Sequence, residues 1–143
     1  MRMSVRLRLP REVDSVPAVR RLLRCALTIL HVDRDARNDL EIALTEACAN
    51  VVHHAAGADK YEVHLDVGED HCAIDVMDRG SGFDPSATGA QTPDPQHDRG
   101  RGLFLIRALT DSVRMDSQPR RGCLIHFEKR FGTPRGRGAS ATC

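Results

Sequence analysis

The sequence contains no tryptophan and only five aromatic residues, four Phe and one Tyr. A platform that stacks the bases of single-stranded nucleic acid needs more aromatic faces than that, so this class of function is disfavoured. A charge of one sign is also missing. The 21 basic and 20 acidic residues leave a formal net charge of +1, which argues against a general polyanion binder and against direct nucleic-acid binding. No run of 18 apolar residues occurs, so no helical membrane span is expected. The N-terminal stretch MRMSVRLRLP alternates charged and apolar residues, unlike a signal peptide. No C-x-x-C pair occurs either. Cys25, Cys48, Cys72, Cys123 and Cys143 are scattered, and an odd count without metal spacing reads as reduced thiols in a cytoplasm. Cys48 and Cys72 fall inside apolar patterns and read as buried hydrophobes. The adjacent His53 and His54 lack the i, i+4 spacing of a zinc helix.

What is present is an ordinary core. The chain has 143 residues, of which 41% are hydrophobic, enough for one domain with a tail. Met3, Val5, Leu7 and Leu9 alternate with Ser4, Arg6 and Arg8, which predicts a half-buried strand ended by Pro10. Asp14 and Ser15 offer capping groups to a helix that carries Val16, Val19, Leu22, Leu23, Ala26, Leu27 and Leu30 to about His31. A second helix is expected from about Asp33 to Ala56, stopped by Gly57. Strands follow at residues 61–67 and 72–77. Residues 83–99 lack periodicity and form a long loop of the kind that is usually functional. A short helix from about Arg101 to Leu109 and strands at 112–117 and 123–129 close the domain. The predicted order is β-α-α-β-β-loop-α-β-β. It disfavours a Rossmann fold and implies an α+β, two-layer architecture, with a mostly antiparallel sheet covered on one face by helices. Residues 1–131 are expected to form this domain, and residues 132–143, GTPRGRGASATC, a disordered tail.

Three groups of residues could carry chemistry. On the second helix, Glu46, Asn50 and His54 recur at i, i+4, i+8 along one border of the apolar stripe. Such a line is a solvated flank or the lining of a cleft. In a cleft the carboxylate could orient a hydroxyl and the amide oxygen could ligate Mg²⁺. At the end of the third strand stands Asp78-Arg79-Gly80-Ser81-Gly82. The carboxylate could accept a hydrogen bond from an exocyclic amine such as adenine N6, and the glycines would let a ligand approach the backbone. Then Gly100-Arg101-Gly102-Leu103 opens a predicted helix, where exposed backbone N–H groups suit an anion. The Walker pattern is absent. Arg20, Arg21 and Arg24 read as a solvated face.

Taken in order, Glu46-x-x-x-Asn50, Asp78-x-Gly80-x-Gly82, a long loop and Gly100-x-Gly102 resemble the N box and the two glycine boxes of the GHKL ATPase superfamily. The strings EACANVVHHA and GRGLFLIRALTDSV look most like the bacterial anti-sigma factor/serine-protein kinase family of partner-switching systems, over roughly residues 3–130. The resemblance implies a GHKL-type (Bergerat) α/β sandwich that binds ATP and Mg²⁺. It implies Asn50 as the metal ligand, Glu46 as the base for a substrate serine, and Asp78 as the adenine anchor beside Gly80 and Gly82. Residues 83–99 would be the ATP lid. Gly100, Arg101, Gly102 and Leu103 would bind phosphates, and His54 would end the N box. It further implies a homodimer that binds a sigma factor and phosphorylates a STAS-fold antagonist. The alternative is a non-catalytic module that sequesters a partner without phosphoryl transfer. The catalytic half of a histidine kinase and an ATP-hydrolysing machine rank lower, because no phosphoacceptor or transducer segment is evident.

Overall fold

The computed structural model describes residues 1–54, 59–78, 103–118 and 122–132, without the side chains of His54, Ser117 and Gln118. The expected lid (83–99), the glycine-bearing segments 80–82 and 100–102, the helix stop at Gly57 and the tail beyond Gly132 lie outside the described residues. Strand β1 spans Met3–Pro10, helix α1 Ser15–Ile29, helix α2 Arg34–His54, strand β2 Lys60–Val67 and strand β3 His71–Asp78. Helix α3 covers residues 103–109, followed by β4 at Ser112–Gln118 and β5 at Gly122–Arg130. The strands form one five-stranded sheet in the order β1-β2-β3-β5-β4, with every neighbouring pair antiparallel.

Alternation decides which face is dry. Val63, Leu65, Val67, Cys72, Ile74, Val76, Ile125 and Phe127 are buried on one face, against Val19, Leu23 and Leu27 of α1 and Leu40, Leu44, Ala47 and Val51 of α2. Helix α1 lies against β1 and β2, and α2 against β3 and β5. Ile106 brings α3 into the same core. The Lys129 ammonium ties α3 to α2, since Nζ donates to the Leu109 carbonyl at 2.9 Å and pairs with Asp39 at 3.2 Å. A cation on the final carbonyls of a helix satisfies them and opposes the helix dipole.

Helix ends follow local chemistry, with one departure from expectation. Asp33, expected as the start of the second helix, caps α2: its Oδ2 accepts from the Ala36 amide at 3.0 Å. Asp14, expected to cap α1, has helical φ/ψ and makes no side-chain capping bond. Ser15 Oγ instead reaches back to the Glu12 carbonyl at 2.7 Å, because the turn before α1 already curls the chain that way. The C-terminal end of α1 is a Schellman turn: the Val32 amide bonds the Leu27 carbonyl, and the His31 amide that of Thr28. This places His31 at φ +60°, a left-handed conformation that costs a side-chain-bearing residue about 1–2 kcal/mol. Glycine removes that cost but loses more chain entropy on folding, about 0.4–1 kcal/mol. His31→Gly is therefore expected to raise stability by about 0.5 kcal/mol, measurable by urea unfolding.

The other face of the sheet is polar and largely neutralises itself. Arg2 pairs with Asp66 at 2.7 Å and Arg8 with Glu62 at 3.3 Å. At its centre, His126 Nδ1 lies 2.6 Å from Asp75 on β3 and Nε2 lies 2.8 Å from Glu128. Burial works against the imidazolium, but the hydrogen bonds and charges of the two carboxylates outweigh it, so the His126 pKa is raised. A raised folded-state value means that protonation stabilises the fold. The contribution is complete below the ordinary histidine value of about 6.5 and is lost as pH rises through the folded value. Thermal midpoints should therefore fall between about pH 6 and pH 8, and His126→Gln should flatten that part of the curve. Equal slopes in both proteins would refute the assignment.

Candidate functional site

The sheet ends at Asp78, the last residue of β3 and only 2% exposed. Its register neighbours are Tyr61 on β2 and Cys123 on β5. Directly opposed residues of antiparallel strands share a face, so Asp78 and Tyr61 stand side by side beneath the helices. The second half of α2 lies over this end of the sheet. The Tyr61 hydroxyl lies 2.6 Å from Ser15 Oγ at the start of α1, and Arg11, which follows β1, donates to the Val52 carbonyl at 3.4 Å. Asn50 stands on α2 two residues before Val52. The helix edge and the strand-end carboxylate, separated by 28 positions in sequence, thus converge on one end of the domain.

Asn50 is half-buried, and its Nδ2 is buried without a hydrogen-bond partner among the described residues. A buried amide without partners costs about 1–3 kcal/mol, so its presence calls for a reason. The two ends of the amide exchange by a flip of the last side-chain torsion. The same position can therefore offer an oxygen, the ligand type that Mg²⁺ takes. One turn earlier, Glu46 is also half-buried but faces a different environment. It lines an open cleft of about 330 Å³ between α1 and α2, together with Arg20, Asn38, Glu41, Ile42 and Thr45. One helix edge therefore runs from solvent-accessible Glu46 to an amide buried at the Asp78 end.

Of the three arginines read as a solvated face, Arg21 and Arg24 are exposed and Arg20 is half-buried in the cleft wall. Arg24 also clasps the Glu41 carboxylate, with Nη2 at 2.8 Å and Nε at 3.2 Å. Glu41 is 9% exposed, so a carboxylate of α2 is held by α1 where little water reaches it. Leu103, the first described residue of α3, packs its side chain against the core, which leaves only its backbone for ligand contact. His54 is the last residue of α2, one further turn along the line of Glu46 and Asn50. Gly80, Gly82, Gly100, Arg101 and Gly102 lie outside the described residues. The thiols behave as buried hydrophobes: burial pushes both Cys48 and Cys72 up to about 12, so they stay protonated. No helix among the described residues is long and apolar enough to cross a membrane.

Comparison with known proteins points to one family. The profile of the histidine kinase-like ATPase domain matches residues 9–126. The serine-protein kinase RsbW of Oceanobacillus iheyensis is 30% identical over 125 residues, covering 80% of this chain and 79% of that protein. RsbW of Bacillus licheniformis is 33% identical over 122 residues, covering 78% and 76%. Among solved structures, the RsbU and RsbW domains of a Mycobacterium tuberculosis protein superpose with a TM-score of 0.73 at 20% identity. That match covers 96% of this chain and 34% of the other, so the chain spans about a third of its neighbour. A chain of the SiaB–SiaC complex from Pseudomonas aeruginosa gives a TM-score of 0.63 at 14% identity, over 89% and 88% of the two chains. At such identities the likeness in structure speaks for the fold alone.

Proposed function

The chain belongs to the histidine kinase-like ATPase domain family and, within it, to the RsbW-like serine-protein kinases, and from that premise we propose an anti-sigma factor that also phosphorylates a protein antagonist. In this reading residues 1–131 form the ATPase domain, bind ATP with Mg²⁺, transfer the γ-phosphoryl group to a serine of a STAS-fold antagonist, and sequester a sigma factor as a homodimer. The observation that carries it is the α2 edge, with Glu46 on an open cleft and the amide nitrogen of Asn50 buried one turn further on. A kinase needs that polarity, because the acceptor arrives from solvent and the nucleotide from the other side.

Asp78 accepts a hydrogen bond from the adenine amine, and Gly80 and Gly82 let the base approach the backbone. Asn50 would hold the metal through its side-chain oxygen, and His54 closes the line at the end of α2. The backbone amides at Gly100, Arg101, Gly102 and Leu103, with the Arg101 guanidinium, would bind the phosphates. Glu46 orients the acceptor hydroxyl and takes its proton. Bound Mg²⁺ would neutralise phosphate charge, which is most of what phosphoryl transfer requires beyond positioning.

The test is incubation of the protein with labelled ATP, Mg²⁺ and STAS proteins, followed by mapping of phosphoserine. Calorimetric titration supplements it: ATP should bind the parent more tightly with Mg²⁺ than with EDTA. Asn50→Ala should lose that gain. An unchanged gain in Asn50→Ala would refute the ligand assignment, and no heat from the parent would remove the nucleotide reading altogether.

A further inference from the structure

The cleft between α1 and α2 is lined by two carboxylates of α2, Glu41 and Glu46. Five residues of helix separate them, about 7.5 Å of rise. Either could accept a proton from a hydroxyl, yet a single base is needed. What distinguishes them lies across the cleft, on α1. Arg24 holds Glu41 in a fork: Nη2 donates to Oε1 at 2.8 Å, and Nε lies 3.2 Å from both Oε1 and Oε2. Thr45, which also lines the cleft, donates its hydroxyl proton to the Glu41 backbone carbonyl at 2.7 Å and leaves the carboxylate to Arg24.

The pair could act as a strut between the helices or as a mask over Glu41, and burial separates the two roles. As a strut it is soft, because the Arg24 side chain is 56% exposed and exposed ion pairs contribute about 0–1 kcal/mol. Leu23 and Leu27 of α1 and Leu40 and Leu44 of α2, all fully buried, already hold the helices together. As a mask it is effective. The Glu41 side chain is only 11% exposed, so water competes little for it, and both its oxygens face one guanidinium. We propose that Arg24 is a positioning residue that keeps Glu41 from binding the acceptor hydroxyl, which leaves Glu46 as the cleft carboxylate open to it. The proposal rests on the kinase reading above and adds a residue that directs the acceptor within that site. Without Arg24, a serine hydroxyl can donate to Glu41, more than one helical turn from the carboxylate that should take its proton. That complex is bound but unproductive.

The experiment measures kcat and acceptor KM at saturating ATP, with a STAS-fold antagonist that the parent phosphorylates. Arg24→Gln removes the mask and leaves the decoy. Unproductive binding lowers both constants by the same factor, because it stabilises a bound state without touching the route from free protein to transition state. Both should fall by about 3- to 10-fold, the scale of one net hydrogen bond, with kcat/KM within about twofold of the parent. Glu41→Met removes the decoy and should leave both constants within about twofold. The double variant should recover parental values. A strut predicts otherwise, since all three variants break the pair and would lose kcat/KM alike. Should Arg24→Gln fail to fold, Arg24→Lys decides: its ammonium keeps the charge but not the fork, so one Glu41 oxygen is freed and kcat should fall by at least about twofold. Unchanged kcat in the folded Arg24 variants, a fall in kcat with KM unmoved, or a loss that Glu41→Met shares overturns the inference and leaves the kinase reading standing. A parent that phosphorylates no STAS protein overturns both.

Discussion

Glu46→Gln is expected to lower the rate of serine phosphorylation by about 10²- to 10⁴-fold, the range that a positioned general base contributes. ATP affinity should stay within about twofold, because nothing in the proposed site brings Glu46 against the nucleotide. The substitution keeps size and shape and removes the charge that would take a proton. Fold stability should scarcely move, since Glu46 is half-buried on an open cleft and outside the core. The effect then falls on turnover, with affinity for both substrates near that of the parent. Single-turnover assays with saturating ATP and antagonist read the chemical step directly. A variant that phosphorylates at the parental rate would falsify the base assignment and leave a module that merely binds its partners.

Glu46 also illustrates how far the site was legible in the sequence. The i, i+4 spacing placed Glu46 and Asn50 on one border of α2, and both are half-buried there. Alternation identified the strands and the dry face, because a one-residue error would have exposed Val63, Leu65 and Val67 together. What spacing could not supply was pairing across the chain. The strand order β1-β2-β3-β5-β4 puts β4 at the edge and β5 beside β3, a choice made by long-range packing and invisible to any local window. The Arg24–Glu41 pair was missed for a related reason. Both residues look solvated on their own helices, and only the α1–α2 contact makes them partners. Tyr61 gave a weak signal that could have been used. A lone tyrosine on the buried phase of a strand must place its hydroxyl somewhere. Ser15 was misread as a capping residue, although it too had a hydroxyl that the start of a buried helix could turn inward.

The second large effect is expected at Asp78. Its carboxylate is 2% exposed at the end of β3, where water competes little for it. Hydrogen bonds to a charged acceptor contribute about 1.5–3 kcal/mol net, so losing the bond to the adenine amine lowers affinity by about 10- to 150-fold. Asp78→Asn does more than remove charge. An amide can turn a donor toward the base, where the carboxylate could only accept. Inosine triphosphate carries an oxygen in place of the adenine amine, so in the parent two acceptors would face each other. In Asp78→Asn the amide nitrogen can donate to that oxygen. ATP should therefore weaken and inosine triphosphate strengthen, moving their affinity ratio toward inosine by at least about 10-fold. General damage to the fold would weaken both nucleotides together, and a thermal melt of the nucleotide-free variant checks for it. If both lose affinity in parallel while the variant stays folded, Asp78 is not reading the purine edge, and the base must be recognised elsewhere on the chain.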